Sequence, residues 1–156
     1  MVTFEIARDV PHPVAETWRR LTTWERHADA VPWTRVIVTT PPPTGVGTVF
    51  VARSGPAGPR LGRLRVDDPM EVTRWRPPRD GTDGRPCTAA MCRLDKRGRT
   101  VLGWAEIDVR PQAAGSRVVW REELRVRGMP RFLDPALGAV ARRVFGRAVD
   151  RLLAEA

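Results

Sequence analysis

Apolar residues recur with a helical period from Leu133 to Leu152, while almost everything before them alternates in the manner of strands. At 100° per residue, Leu133, Leu137, Ala141, Val144, Phe145, Ala148, Val149 and Leu152 fall on one arc of roughly 160°. Arg142, Arg143, Arg147 and Asp150 fall outside that arc, and Arg151 sits on its boundary. Asp134 is placed to cap the first N–H groups, and Pro135 at the first helical position loses no hydrogen bond. About 20 residues of helix span about 30 Å. A helix of that length with one apolar face needs a sheet large enough to lie across.

The strands that would form such a sheet are legible. Val2, Phe4 and Ile6 alternate with Thr3, Glu5 and Ala7 over residues 2–9. His12-Pro13 ends that strand and opens a short helix through Arg20. Thr22-Thr23-Trp24-Glu25 has the spacing of a capping box and predicts a second short helix ending before Pro32. Strands are then expected over Arg35–Thr40, Gly47–Arg53, Leu61–Val66, Met70–Arg76 and Cys87–Lys96, separated by turns rich in Pro and Gly. Arg79–Pro86 reads as a polar, mobile loop. Thr100–Arg110 and Arg117–Arg127 form a hairpin around Pro111–Gly115. Hairpin-length connections make the sheet antiparallel, and its twist would curl it around the terminal helix. No internal repeat, linker or second domain interrupts residues 1–156.

Sorting the last hairpin by alternation places Val118, Trp120, Glu122, Leu124 and Val126 on one face and the arginines on the other. Val101, Gly103, Ala105, Ile107 and Val109 share the inward face of the preceding strand. The small Gly103 and Ala105 leave volume there, which becomes a pocket wherever the helix does not sink into it. Glu122 is then a carboxylate on an apolar face, either a pocket acid and ligand anchor or the partner of an arginine at a wet rim. Trp120 points inward, Trp33 follows the second short helix at the expected mouth, and Trp104 lies on the polar face, exposed or covered by arginine stems. His27 is a candidate acid or base near the mouth, against a surface or capping role; His12 reads as structural.

Composition changes this picture little. The 156 residues, 42% hydrophobic and 29% charged, suit one soluble globular domain. The net charge of +9 raises the question of nucleic acid. The arginines, however, run from Arg8 to Arg151 without clustering, Lys96 is the sole lysine among 27 basic residues, and no zinc-finger, helix-turn-helix or aromatic-basic RNA pattern occurs. The balance argues against a nucleic-acid partner. No apolar run approaches the ~18 residues of a membrane span, and Met1 leads straight into a strand pattern, so a cytoplasmic location is expected. Cys87 and Cys92 have no second pair and no nearby His, which makes them reduced thiols rather than a metal site. There is no phosphate loop, nucleophile elbow or metal-ligand cluster; no cofactor and no metal is implied.

Several stretches carry a resemblance. Residues Ile6–Trp18, with Pro11, Pro13 and the closing Trp18, are similar to the strand–proline–short-helix opening of the START-like, polyketide cyclase/dehydratase superfamily (SRPBCC). Leu21–His27, Val72–Pro78 and Gly115–Trp120 before the long helix extend the likeness over the whole chain. The resemblance implies an α+β helix-grip fold, a seven-stranded antiparallel sheet wrapped around the C-terminal helix with two short helices after the first strand. It also implies a hydrophobic cavity, as in the superfamily's polyketide cyclases, lipid carriers and quinone-binding proteins. The expected function is a binder of a small or medium hydrophobic molecule, aromatic or polyketide-like. The candidate site residues are Trp33, Trp75, Trp120, Glu122, Leu137, Ala141 and Phe145. The alternative is a cyclase or dehydratase working by acid–base and positioning groups in the same cavity. The cyclases use pocket tyrosines and arginines. This chain has no Tyr, and no cyclase arginine maps to a position in it.

Overall fold

The computed structural model describes residues 1–55, 65–79 and 87–154. Seven antiparallel strands form one sheet in the order β1-β7-β6-β5-β4-β3-β2. Their bounds are β1 Val2–Val10, β2 Thr34–Val38, β3 Val49–Ser54, β4 Val66–Arg76, β5 Ala90–Lys96, β6 Val101–Gln112 and β7 Gly115–Val126. Helix α1 (Val14–Thr22) and the short α2 (His27–Ala30) follow β1, and α3 (Asp134–Ala154) closes the chain. The architecture is the helix-grip arrangement that the resemblance implies, with the element order read from the pattern of the sequence.

Three local expectations change. The capping box does not form. Thr22 stays in α1 with its hydroxyl donating to the Trp18 carbonyl at 2.8 Å, Thr23 does the same to Arg19 at 2.7 Å, and Trp24–Arg26 is a single 3-10 turn. Hydroxyls bonded back along their own helix cannot cap the next one. Leu133 is 40% exposed because it belongs to a separate 3-10 turn, Arg131–Leu133, outside the helical period. Asp67-Asp68-Pro69 lies inside β4 rather than between two strands. The proline is tolerated there because the β4–β5 ladder begins only at Met70↔Lys96, while its carbonyl accepts the Arg97 N–H at 2.7 Å. The turn at 56–59, residues 61–64 of the strand expected to end at Val66, and 80–86 of the polar loop lie outside the described residues.

The second half of α3 is its packed half. Gly146, Ala148, Val149, Leu152 and Leu153 are buried, and the charged positions Arg142, Arg143, Arg147, Asp150 and Arg151 are exposed. The helix leans on β1 at the edge of the sheet. A Cβ on Gly138 would stand 2.9 Å from Val2, and Asp150 pairs with Arg8 at 2.6 Å. The carbonyl of Leu153, at the end of the helix, accepts from Arg20 at 2.9 Å and from His12 Nε2 at 3.2 Å. These donors satisfy a helix terminus that would otherwise be left unpaired. His12 is structural, as expected.

Gly103 has a different role from the one its size suggests. Its φ is +129° and a Cβ there would lie 1.9 Å from the Glu123 carbonyl oxygen. The missing side chain permits close approach of the β7 backbone and does not open a hollow. Gly103→Ala is therefore expected to destabilise the protein by about 2–3 kcal/mol, whereas Gly45→Ala, with open space around it, should stay within about 0.5 kcal/mol. Urea unfolding midpoints of the two variants check this.

Candidate functional site

Because α3 rests on β1, the concave face of the other strands is left partly uncovered. The space between is a cavity of about 290 Å³. Leu137, Val140, Ala141, Val144 and Phe145 of α3 roof it at positions i, i+3, i+4, i+7 and i+8. Phe50, Met70, Leu94, Ala105, Trp120 and Leu124 form much of the opposite wall. Val140, 61% exposed, marks the rim.

Among the described residues, the titratable ones lining the cavity are His27, Asp68, Lys96 and Glu122, from α2, β4, β5 and β7. Strand alternation places three of them. Ala90, Cys92, Leu94 and Lys96 are the buried positions of β5. On β4, Asp67 turns outward to Arg53 at 2.7 Å and its neighbour Asp68 turns inward. On β7, Val118, Trp120, Glu122 and Leu124 are all buried, as the sorted hairpin predicts. Ala105 stands between Leu94 and Glu122 in the ladders. Its methyl group is short enough to let Lys96 reach over β6.

Lys96 Nζ sits 2.7 Å from Asp68 Oδ2, 3.1 Å from Glu122 Oε1 and 3.9 Å from Met70 Sδ. Glu122 Oε2 accepts the Trp120 indole N–H at 3.1 Å. The Lys96 and Glu122 side chains are 2% and 1% exposed and that of Asp68 16%, so this ion cluster has little contact with water. Burial pushes the Glu122 carboxyl up, against the pull of Lys96 and of the Trp120 N–H. Burial likewise raises Asp68, with Lys96 opposing. Burial would lower Lys96, but the facing charges of Glu122 and Asp68 outweigh it and hold the ammonium above its ordinary value. One cation thus serves two carboxyls. Asp68 Oδ1 and Glu122 Oε1 are buried without a hydrogen-bond partner among the described residues, Glu122 Oε1 meeting Lys96 as an ion pair only.

His27 borders the cavity with its ring 5.6 Å from Trp24 and 6.0 Å from Trp120. Nε2 donates to the Leu21 carbonyl at 2.8 Å, which leaves Nδ1 as the unprotonated nitrogen of the neutral ring. Burial pushes its pKa down from 6.5.

Of the residues singled out in the sequence, Trp120, Glu122, Leu137, Ala141 and Phe145 border this cavity, and Trp33 and Trp75 do not. Trp33 adopts φ +62° and its side chain is 75% exposed; the next residue, Thr34, lines the space instead. Trp75 lies past a bulge at Thr73, where the β4–β5 register jumps from Val72↔Leu94 to Arg74↔Arg93. It packs on Trp18 at 4.9 Å and Trp24 at 6.4 Å, away from the cavity. Trp104 on the outer face is covered by the Arg93 guanidinium, 4.4 Å from its ring centre. The partner of Glu122 is neither an arginine nor rim water, but Lys96. Asp68 and Lys96 were missed although two signals marked them. Lys96 is the one lysine among 27 basic residues, and alternation along β4 and β5 turns both residues inward.

Neither cysteine is in a disulfide; Cys92 is buried and Cys87 half-buried. Among the described residues there is no group of three or more His, Cys, Asp or Glu side chains arranged to hold a metal ion. No helix among them is long and apolar enough to cross a membrane.

The ion cluster has a measurable consequence. Removing the shared cation leaves two carboxyls in an apolar enclosure, so Lys96→Met should cost about 3–5 kcal/mol. Adding Asp68→Asn and Glu122→Gln to Lys96→Met should recover most of that loss, because the three neutral groups need no counter-charge. Chemical denaturation of the single and triple variants reads both effects.

No protein-family model matches the chain, and no curated protein matches it in sequence. Solved structures do match in fold. The Zhui aromatase/cyclase from Streptomyces sp. R1128 aligns over 97% of this chain and 90% of its own, with TM-score 0.61 and 15% identity. TTHA0849 from Thermus thermophilus aligns over 97% and 92%, with TM-score 0.61 and 14% identity. Ara h 8.0201 aligns over 98% of both chains, with TM-score 0.58 and 12% identity. At these identities the likeness is one of backbone architecture. With its sheet order, its gripped terminal helix and these neighbours, the chain has a helix-grip fold.

Proposed function

We propose that the protein is a cytoplasmic binder of a small hydrophobic molecule, held between α3 and the concave face of the sheet. The observation that supports this most is the cavity of about 290 Å³ with an almost wholly apolar lining and one buried polar cluster. That size lies near the lower end of the roughly 300–1,000 Å³ of small-molecule pockets. An engineered apolar cavity of about 150 Å³ already takes up benzene. A compact ligand of one or two fused rings therefore fits better than a long chain. Trp120, Phe145, Leu137 and Ala141 would supply apolar contact, and Glu122 with its partners the polar end. The two free cysteines suit a reducing compartment.

Native mass spectrometry of freshly purified protein should reveal a co-purified small molecule. A bicyclic hydrocarbon such as naphthalene should raise the melting temperature in proportion to its occupancy. Ala141→Phe, which fills the roof, should weaken that binding at least tenfold while the protein stays folded. Unchanged binding in the filled variant would place the ligand elsewhere.

A second reading is acid–base turnover of a polyketide-like substrate in the same cavity. It is favoured by one observation, the convergence of a raised carboxyl at Glu122 and the Lys96 ammonium on one apolar space. In that case Glu122→Gln should lower turnover of a true substrate at least a hundredfold while ligand binding persists. An unchanged rate removes Glu122 from the chemistry.

A further inference from the structure

The cavity's polar end is unbalanced in both charge and hydrogen bonding. Among the described residues, Asp68 and Glu122 carry two potential negative charges against the single positive charge of Lys96, and the remaining titratable lining residue, His27, has an uncharged ring. The balance with both carboxyls ionised is one negative charge. None of the described arginines lines the space.

The hydrogen-bonding capacity points the same way. An ammonium has three N–H donors. Those of Lys96 face Asp68 Oδ2, Glu122 Oε1 and the Met70 sulfur. Glu122 Oε2 already accepts the indole N–H of Trp120. What remain are acceptors: Asp68 Oδ1 and Glu122 Oε1 are both buried without a hydrogen-bond partner among the described residues, Glu122 Oε1 meeting Lys96 as an ion pair at 3.1 Å. The pocket has acceptors to offer, and its one ammonium is already engaged by both carboxyls. An anionic ligand would meet a like charge and find the one ammonium engaged. A neutral hydrocarbon would fill the apolar volume and leave the buried oxygens unpaired, gaining nothing from them.

Taking the cavity as a binding site, we infer that its ligand is a small apolar amine, with its ammonium group seated against Asp68 and Glu122 and its hydrocarbon body under α3. Such a group supplies the missing donor and the missing positive charge together. The aromatic faces of Trp120 and Phe145, whose ring centres are 6.1 Å apart at the cavity lining, add favourable contact for a cation entering beside them.

Four probes sharing one ring system test this on the full chain: naphthalene, 1-naphthylmethanol, 1-naphthylmethylammonium and 1-naphthoate, titrated by calorimetry at neutral pH. The ammonium should bind at least tenfold more tightly than naphthalene, and the carboxylate at least tenfold more weakly. In Asp68→Asn, which brings the cluster to electrical balance, the ratio of ammonium to naphthalene affinity should fall to near one. An alcohol as tight as the ammonium would overturn the requirement for positive charge. Equal affinities across the four, or a preference for the carboxylate, would overturn the inference while leaving a hydrophobic binder. Absence of binding by all four would instead remove the cavity's role as a binding site.

Discussion

One ammonium shared by two buried carboxyls is the constraint around which the interior is arranged. Moving an ion out of water is costly, and the cost is offset only where opposite charges and hydrogen bonds are closely placed. Lys96 meets that requirement with a compact point charge on a flexible stem, touching Asp68, Glu122 and Met70 at once. A planar guanidinium, larger and with its donors fixed in a fork, is a poor substitute in that space. In a chain whose other 26 basic residues are arginines, counted from the total of 27, this gives a physical reason for the exception. The cluster also explains why Glu122 can lie on an otherwise apolar face of β7.

The hollow above the cluster follows from where the helix rests. Small residues let α3 approach the edge strand, with Gly138 beside Val2 and Gly146 beside Arg8. Its second half is packed there, and its first half roofs the concave face without filling it. Ala105 supplies the clearance through which β5 and β7 connect across β6. The bulge at Thr73 redirects β4 so that Trp75 joins Trp18 and Trp24 in a separate aromatic block. Trp24 also stacks on Phe50 at 4.7 Å, so that block backs one wall of the cavity. The same sheet therefore presents a solid aromatic core at one end and an apolar space with a polar floor at the other.

The periodicities of the chain determined the order of elements, the antiparallel sheet, the gripped helix and the inward face of the final hairpin, because each is written in local alternation at period two or 3.6. Alternation also placed Trp120 and Glu122, and the helical arc placed Leu137, Ala141 and Phe145. The arc failed at Leu133, which a 3-10 turn sets apart from α3; Trp33 and Trp75, which no period had placed at the cavity, are carried away from it by a left-handed backbone and a one-residue bulge. Which carboxyls would meet the one lysine, and whether the helix would fill or merely roof the sheet, only the tertiary structure decided. Those outcomes depend on the reach of Lys96 over Ala105 and on the line of α3 along β1, distances between residues remote in sequence that no local period encodes.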